Sequence, residues 1–206
     1  MKLLIISASQ RTESQSAKVA NYLAEVTQGF ESITHIELCK RNLPLWDGEE
    51  SSKDDPSSDW LAINDELHNA DALILITPEW SGMASPLLKN LLLMCTSEDV
   101  AHKPTLLVSV VSGINGAYPI AELKMNAFKN NKLVTIPDHL IIRNVEEILN
   151  IQTDNSATLT PRDNSIRQRI GYSLHTLKHY SKALQTLRKA LIAQPFPGQE
   201  NYNYAM

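Results

Sequence analysis

The chain has 206 residues, 43% of them hydrophobic, and a formal net charge of -4 with lysine and arginine scattered along its length. That is enough apolar mass for one sizeable core, and it lacks the clustered basic charge of a nucleic-acid footprint. Cys39 and Cys95 lie far apart with no Cys-x-x-Cys or Cys/His spacing, so neither a disulfide framework nor a zinc site is indicated. The N-terminal apolar run is too short for a secretory h-region and no run reaches membrane-spanning length, which points to a cytoplasmic protein with no membrane partner.

Apolar runs of strand length recur at 2–7 (KLLIIS), 34–38 (THIEL), 72–77 (ALILIT), 105–112 (TLLVSVVS) and 132–136 (KLVTI). Helix-like segments fall near 14–28, 59–69, 84–96, 117–129 and 165–193. This alternation predicts βαβ units and an α/β domain whose parallel sheet is covered on both faces. The first, third and fourth runs are almost continuously apolar, as doubly buried strands must be; the second and fifth alternate and so belong at the edges. Edges there give a doubly wound five-stranded sheet of order 2-1-3-4-5, in which ligands bind beyond the carboxyl ends of the strands where the chain reverses direction. Residues 1–195 read as a single domain and 196–206 as a tail that orders against a neighbour. The acidic, serine-rich segment 47–59 reads as a solvated loop.

Three loops follow the expected carboxyl ends, SASQRTESQS at 7–16, PEWSGMASP at 78–86 and SGINGAY at 112–118. They alone combine small polar residues and glycine beside apolar strands. The first has no Gly-x-Gly-x-x-Gly, so it is not built for a pyrophosphate. Hydroxyls of Ser9, Ser14 and Ser16, the charge of Arg11 and the following helix N-terminus would suit a terminal monophosphate. The same loop also reads as plain capping, with Thr12 and Gln15 as a box and Glu13 turned to solvent.

The stretch from Ala70 to Asn90, ADALILITPEWSGMASPLLKN, resembles the NADPH-dependent FMN reductase family, with its Pro-Glu-Tyr-Asn-Gly turn and Leu-Lys-Asn helix. SASQRTESQS resembles that family's phosphate loop and SGINGAY its Ser-Gly-Gly-rich turn, so the likeness covers most of residues 1–128. The resemblance implies a flavodoxin-like fold and an FMN-dependent oxidoreductase that takes hydride from NADPH or NADH and reduces a quinone, free flavin or similar small acceptor. It further implies that Ser9, Arg11, Ser14, Gln15 and Ser16 surround the FMN phosphate. Pro78, Glu79, Trp80, Ser81 and Gly82 would border the isoalloxazine, and Ser112 and Gly113 its pyrimidine edge. In this sequence Ala8 replaces the family's first glycine, Ser16 the loop asparagine, Trp80 the tyrosine and Ser81 the turn asparagine.

Two other readings stand beside this one: a non-enzymatic electron carrier of the flavodoxin kind, and a binding or sensing module that kept the fold without FMN. No catalytic side chain is assigned, because hydride transfer to a flavin needs alignment and not proton abstraction. No metal site is assigned either: His175 and His179 have ligand spacing, yet fall off the apolar stripe of the last helix. Leu87, Leu88, Leu91, Leu92, Leu93 and Met94 surround more than half of the third helix. That surplus suits either a deeply buried helix or a homodimer or homotetramer.

Overall fold

The computed structural model describes residues 1–150 and 159–202. Strands β1 (Lys2–Ser7), β2 (Ser32–Glu37), β3 (Ala72–Pro78), β4 (Pro104–Val111) and β5 (Val134–Arg143) form one sheet of order β2-β1-β3-β4-β5. Every pairing in it is parallel. The helices are α1 (Gln15–Val26), α2 (Trp60–Asn69), α3 (Pro86–Met94), α4 (Ser97–Val100), α5 (Ala117–Asn126) and α6 (Pro161–Ala193).

Alternation along the central strands divides the core into two layers. Leu4 and Ile6 of β1, with Leu73 and Leu75 of β3, pack against Ile63 and Leu67 of α2, Leu88 and Leu91 of α3 and Leu123 of α5. Leu3 and Ile5, with Ile74 and Ile76, pack against Val19 and Leu23 of α1 and Ile170, Leu174 and Leu177 of α6. Each such fully buried aliphatic side chain contributes about 1.5–3 kcal/mol. The C-terminal turns of α6 run past this layer, leaving Leu187 and Leu191 exposed. His175 and His179 are exposed on the same helix, with ring centroids 4.4 Å apart.

The fifth strand is longer than the sequence pattern indicates. It continues through Pro137 and Asp138 to Arg143, with a register shift between Thr105 and Leu107 of β4. An edge strand tolerates proline because its outer N–H needs no partner. Asp138 is satisfied from α6, accepting hydrogen bonds from Arg169 and, at 2.8 Å, from the Ser173 hydroxyl. This extension carries the end of β5 up to the carboxyl-end loops.

The apolar surplus of α3 is absorbed internally: Leu88, Leu91, Leu92 and Met94 are buried, Leu87 packs on the core, and Leu93 alone of the six is exposed. The segment 47–59 is mostly exposed as expected, with one exception. A short turn at Glu50–Asp54 buries the Lys53 side chain, its Nζ 4.8 Å from the Trp46 ring centre and 5.2 Å from that of Trp60. In the tail, Gln199–Tyr202 forms a turn that sets Tyr202 edge-on to Phe196 at 6.2 Å.

Candidate functional site

At the carboxyl end of the sheet, between β1 and the strands to its other side, lies a cavity of about 640 Å³. This is where the strand order reverses.

Its first wall is the loop after β1. Ala8 N donates to Ile76 O at 2.9 Å, prolonging the pairing with β3 before the chain turns. Ser9 Oγ then accepts from Arg11 N at 3.1 Å, and Ser14 Oγ accepts from Ala17 N at 3.1 Å. Ser14, with φ -136° and ψ 146°, is therefore the N-cap of α1. The Thr12–Gln15 box is not the cap, because the helix starts at Gln15. The first turn of α1 carries no acidic side chain, so its dipole and free amides face the cavity uncompensated. Gln15 Oε1 is buried there with no hydrogen-bond partner among the described residues. Glu13 is exposed, as expected, yet also borders the opening.

The second wall is Pro78, Glu79 and Trp80. Glu79 N donates to Val110 O at 3.1 Å, so the sheet pairing persists one residue past β3. Trp80 and Met83 exchange two backbone hydrogen bonds, 3.2 and 2.9 Å, around Ser81 (φ 51°) and Gly82 (φ 77°). Positive φ at both central residues is the signature of a type I′ turn. Ser81 and Gly82 thus form the tip of the turn, outside the cavity lining. Glu122 of α5 fixes the far side, accepting from Ala84 N at 2.7 Å and Lys89 Nζ at 3.0 Å. Burial pushes its carboxyl up, but those two donors outweigh it and hold it below the usual carboxylate range.

Ser112 and Gly113 form the third wall. Gly116 turns the chain into α5 with φ 99°, and a Cβ there would collide with Ile141 Cγ2. Two lining groups were not legible in the sequence: Lys18, and the pair Val145 and Glu146. Lys18 Nζ donates to Val145 O (2.6 Å), Ile148 O (3.0 Å) and Asn150 Oδ1 (2.8 Å), which clamps the turn after β5 to α1. Burial lowers its pKa, against the pull of Asp163 and Glu146. Glu146 Oε1 accepts a long 3.4 Å bond from the Ser112 hydroxyl. Ending β5 at residue 136 hid this fourth loop; the apolar pair Ile141 and Ile142 was the available signal.

Of the twelve residues singled out from sequence, Ser9, Arg11, Ser14, Gln15, Ser16, Pro78, Glu79, Trp80, Ser112 and Gly113 meet around one cavity. Arg11 lies 5.8 Å from the Trp80 ring centre, joining the first two walls. A Ser7–His35 contact of 2.9 Å, continued by His35 Nδ1 to Asn21 Oδ1 at 3.1 Å, sits below the first loop and does not line the cavity. Among the described residues no group of three His, Cys, Asp or Glu is placed to hold a metal, and no helix is long and apolar enough to cross a membrane.

The family model for NADPH-dependent FMN reductase matches residues 1–147, which contain every residue that lines this cavity. The chain belongs to that family. A NADPH azoreductase of Bacillus sp. (strain OY1-2) is 34% identical over 116 residues, covering 56% of this chain and 62% of that protein. A quinone reductase of Pseudomonas putida is 29% identical over 118 residues, covering 55% and 62%. The matched stretch thus spans less than two thirds of these relatives' length. The fold agrees with a solved oxidoreductase of Corynebacterium diphtheriae, with a TM-score of 0.70 at 17% identity over 88% of this chain and 97% of that one. The family member described here keeps the flavodoxin-like sheet order in full.

Proposed function

We propose that this protein is an FMN-dependent NAD(P)H oxidoreductase that reduces a quinone, free flavin or similar small acceptor. One observation carries the reading: a hydroxyl-rich loop, an uncompensated helix N-terminus and an aromatic wall meet around one cavity at the switch point of a doubly wound sheet. The family and the names of its relatives support the same chemistry.

The residues fit the group. A phosphate dianion needs donors and positive potential without a competing carboxylate, and the first turn of α1 offers both. Ser9, Ser14, Ser16 and Arg11 would hold the phosphate, with the buried Gln15 amide beside it. Pro78, Glu79 and Trp80 would border the ring system, and Ser112 and Gly113 its polar edge. Ser81 and Gly82 act one step removed, by setting the turn that presents Trp80. The chemistry that bound FMN supplies is hydride uptake from the nicotinamide and electron delivery to the acceptor. The protein's part is to bind, to align and to present donors where negative charge develops. Lys18 has its ammonium committed to two carbonyls and Asn150, so it holds the wall and is not poised to transfer a proton.

The chain is further read as a single cytoplasmic domain that self-associates. Met83 (51% exposed), Ile114 (78%) and Tyr118 (68%) form apolar surface beside the cavity mouth, and such surface has use for a partner. Light scattering at micromolar concentration is expected to give a dimer or tetramer mass; a monomer mass overturns that part. The visible spectrum of the purified protein, before and after anaerobic NADPH, tests the activity. Flavin bands that bleach on addition are expected. Flavin bands that persist identify an electron carrier, and failure to bind added FMN leaves only a binding module.

A further inference from the structure

A second cavity, of about 340 Å³, lies between β5 and the first turns of α6. The turn 143–148 divides it from the first: Val145 and Glu146 line one, Arg143 and Ile148 the other. Ile141, Ile148 and Ile166 give it apolar sides, and Arg143, Arg162 and Arg169 line it with no carboxylate among the described residues.

The three guanidinium groups are not equivalent. Arg169 is neutralised by Asp138, which it meets through both terminal nitrogens. Arg143 spends one N–H on Asn115 O at 2.7 Å, and its remaining N–H groups have no partner among the described residues. Arg162 meets Glu147 at 3.4 Å in a pair whose side chains are 46% and 68% exposed, a contact that exchanges readily with solvent. Asn144, with its amide turned to satisfy both neighbours, donates to Gly113 O at 2.9 Å and accepts from Arg162 at 3.0 Å. Arg162 is therefore linked through one side chain to a residue that lines the first cavity.

We infer that Arg143 and Arg162 bind the 2′-phosphate of NADPH and set the preference for NADPH over NADH; this rests on the oxidoreductase reading above. A phosphate monoester is a compact dianion best held by two forked guanidiniums, whereas the 2′-hydroxyl of NADH gives such a site nothing to neutralise. Elimination leads to the same pair. Among the described residues the first cavity is lined by two cations, Lys18 and Arg11. Lys18 is spent on the wall and Arg11 stands over Trp80 beside the first loop. A dinucleotide that leaves that cavity past Gly113 and Glu146 meets Arg143 and Arg162 next. The apolar sides of the second cavity suit the ribose and adenine that accompany the phosphate.

The test is calorimetric titration of the FMN-loaded protein with 2′,5′-ADP, 5′-AMP and inorganic phosphate. About tenfold tighter binding of 2′,5′-ADP than of 5′-AMP is expected. Most of that difference should disappear in Arg143→Gln and Arg162→Gln and return partly in the corresponding lysine variants. In steady-state kinetics the same substitutions are expected to raise KM for NADPH more than KM for NADH. Equal binding of the two nucleotides by the unmodified protein overturns the inference, and this arm needs no variant to fold. Inorganic phosphate binding as tightly as 2′,5′-ADP identifies a free-anion site and also overturns it. Loss of the underlying reading has a different signature, failure to take up FMN at all, which the flavin spectrum records before any nucleotide is added.

Discussion

The Arg11 guanidinium stands 5.8 Å from the centre of the Trp80 ring, so the loop after β1 and the turn after β3 meet across the mouth of one cavity. Among the described residues Arg11 pairs with no carboxylate, which leaves its charge for an incoming anion. Hydrogen bonds to charged groups are worth about 1.5–3 kcal/mol. Replacing Arg11 and Ser16 together by alanine is expected to weaken FMN binding by more than about tenfold. Fluorescence quenching of titrated flavin measures this, and an unchanged affinity removes the first loop from the phosphate site.

No carboxylate at the cavity is expected to be an obligatory acid or base. Glu79→Gln and Glu146→Gln should each slow reduction of bound FMN by less than about tenfold, below the range of general acid–base catalysis. Trp80→Ala should cost more, because it removes a wall of the cavity. Stopped-flow reduction by NADPH decides the matter: abolished reduction in either glutamine variant, with FMN still bound, would establish a catalytic carboxylate.

Ser81 holds φ 51° at the first central position of its turn, a conformation that asparagine and glycine adopt with less strain. Ser81→Asn is expected to raise stability by up to about 1 kcal/mol, with no loss of cavity contacts because residue 81 lies outside the lining. Urea unfolding measures the change, and a destabilised variant would show that the serine makes a compensating contact.

Gly116→Ala should act in the opposite direction. A side chain at φ 99° is strained, and its Cβ would run into Ile141 Cγ2 with Val111 Cγ1 at 3.2 Å. Together these are expected to cost more than about 2 kcal/mol. The midpoint of thermal unfolding is the readout.

Three histidines give the stability a defined pH dependence. Burial lowers the pKa of His35, reinforced by Lys40 against Glu37. Burial also lowers His102, with Lys132 and Arg188 adding to it. His139 is lowered by burial and Lys124, against Asp138. Each therefore binds fewer protons folded than unfolded, so stability is full above the unfolded value of about 6.5 and falls as pH drops below it. Asp138, raised by burial but lowered more by Arg169 and Ser173, adds its own loss only in the more acidic carboxylate range. A melting temperature that stays flat from pH 7 to about pH 6.5 and then declines is expected. His35→Gln should decline less steeply; an identical slope removes His35 from the account.

The sequence by itself determined the sheet order, because doubly buried strands must be apolar throughout: ALILIT and TLLVSVV could only be central and THIE only an edge. It determined three walls of the cavity for the same reason, since small polar residues directly after such strands must lie at their carboxyl ends. Only the tertiary structure decided what the edge strand β5 delivers. Pro137 and Asp138 break the local pattern, and their tolerance depends on an open strand edge and on Arg169 and Ser173 arriving from α6. Because that pairing is long-range, no local signal marks Glu146 or Arg143 as neighbours of Gly113. The turn at Ser81 and Gly82 was likewise hidden: its residue types were plain, but two positive φ angles, fixed by the Trp80–Met83 pairing, make both residues the tip of a turn outside the cavity lining.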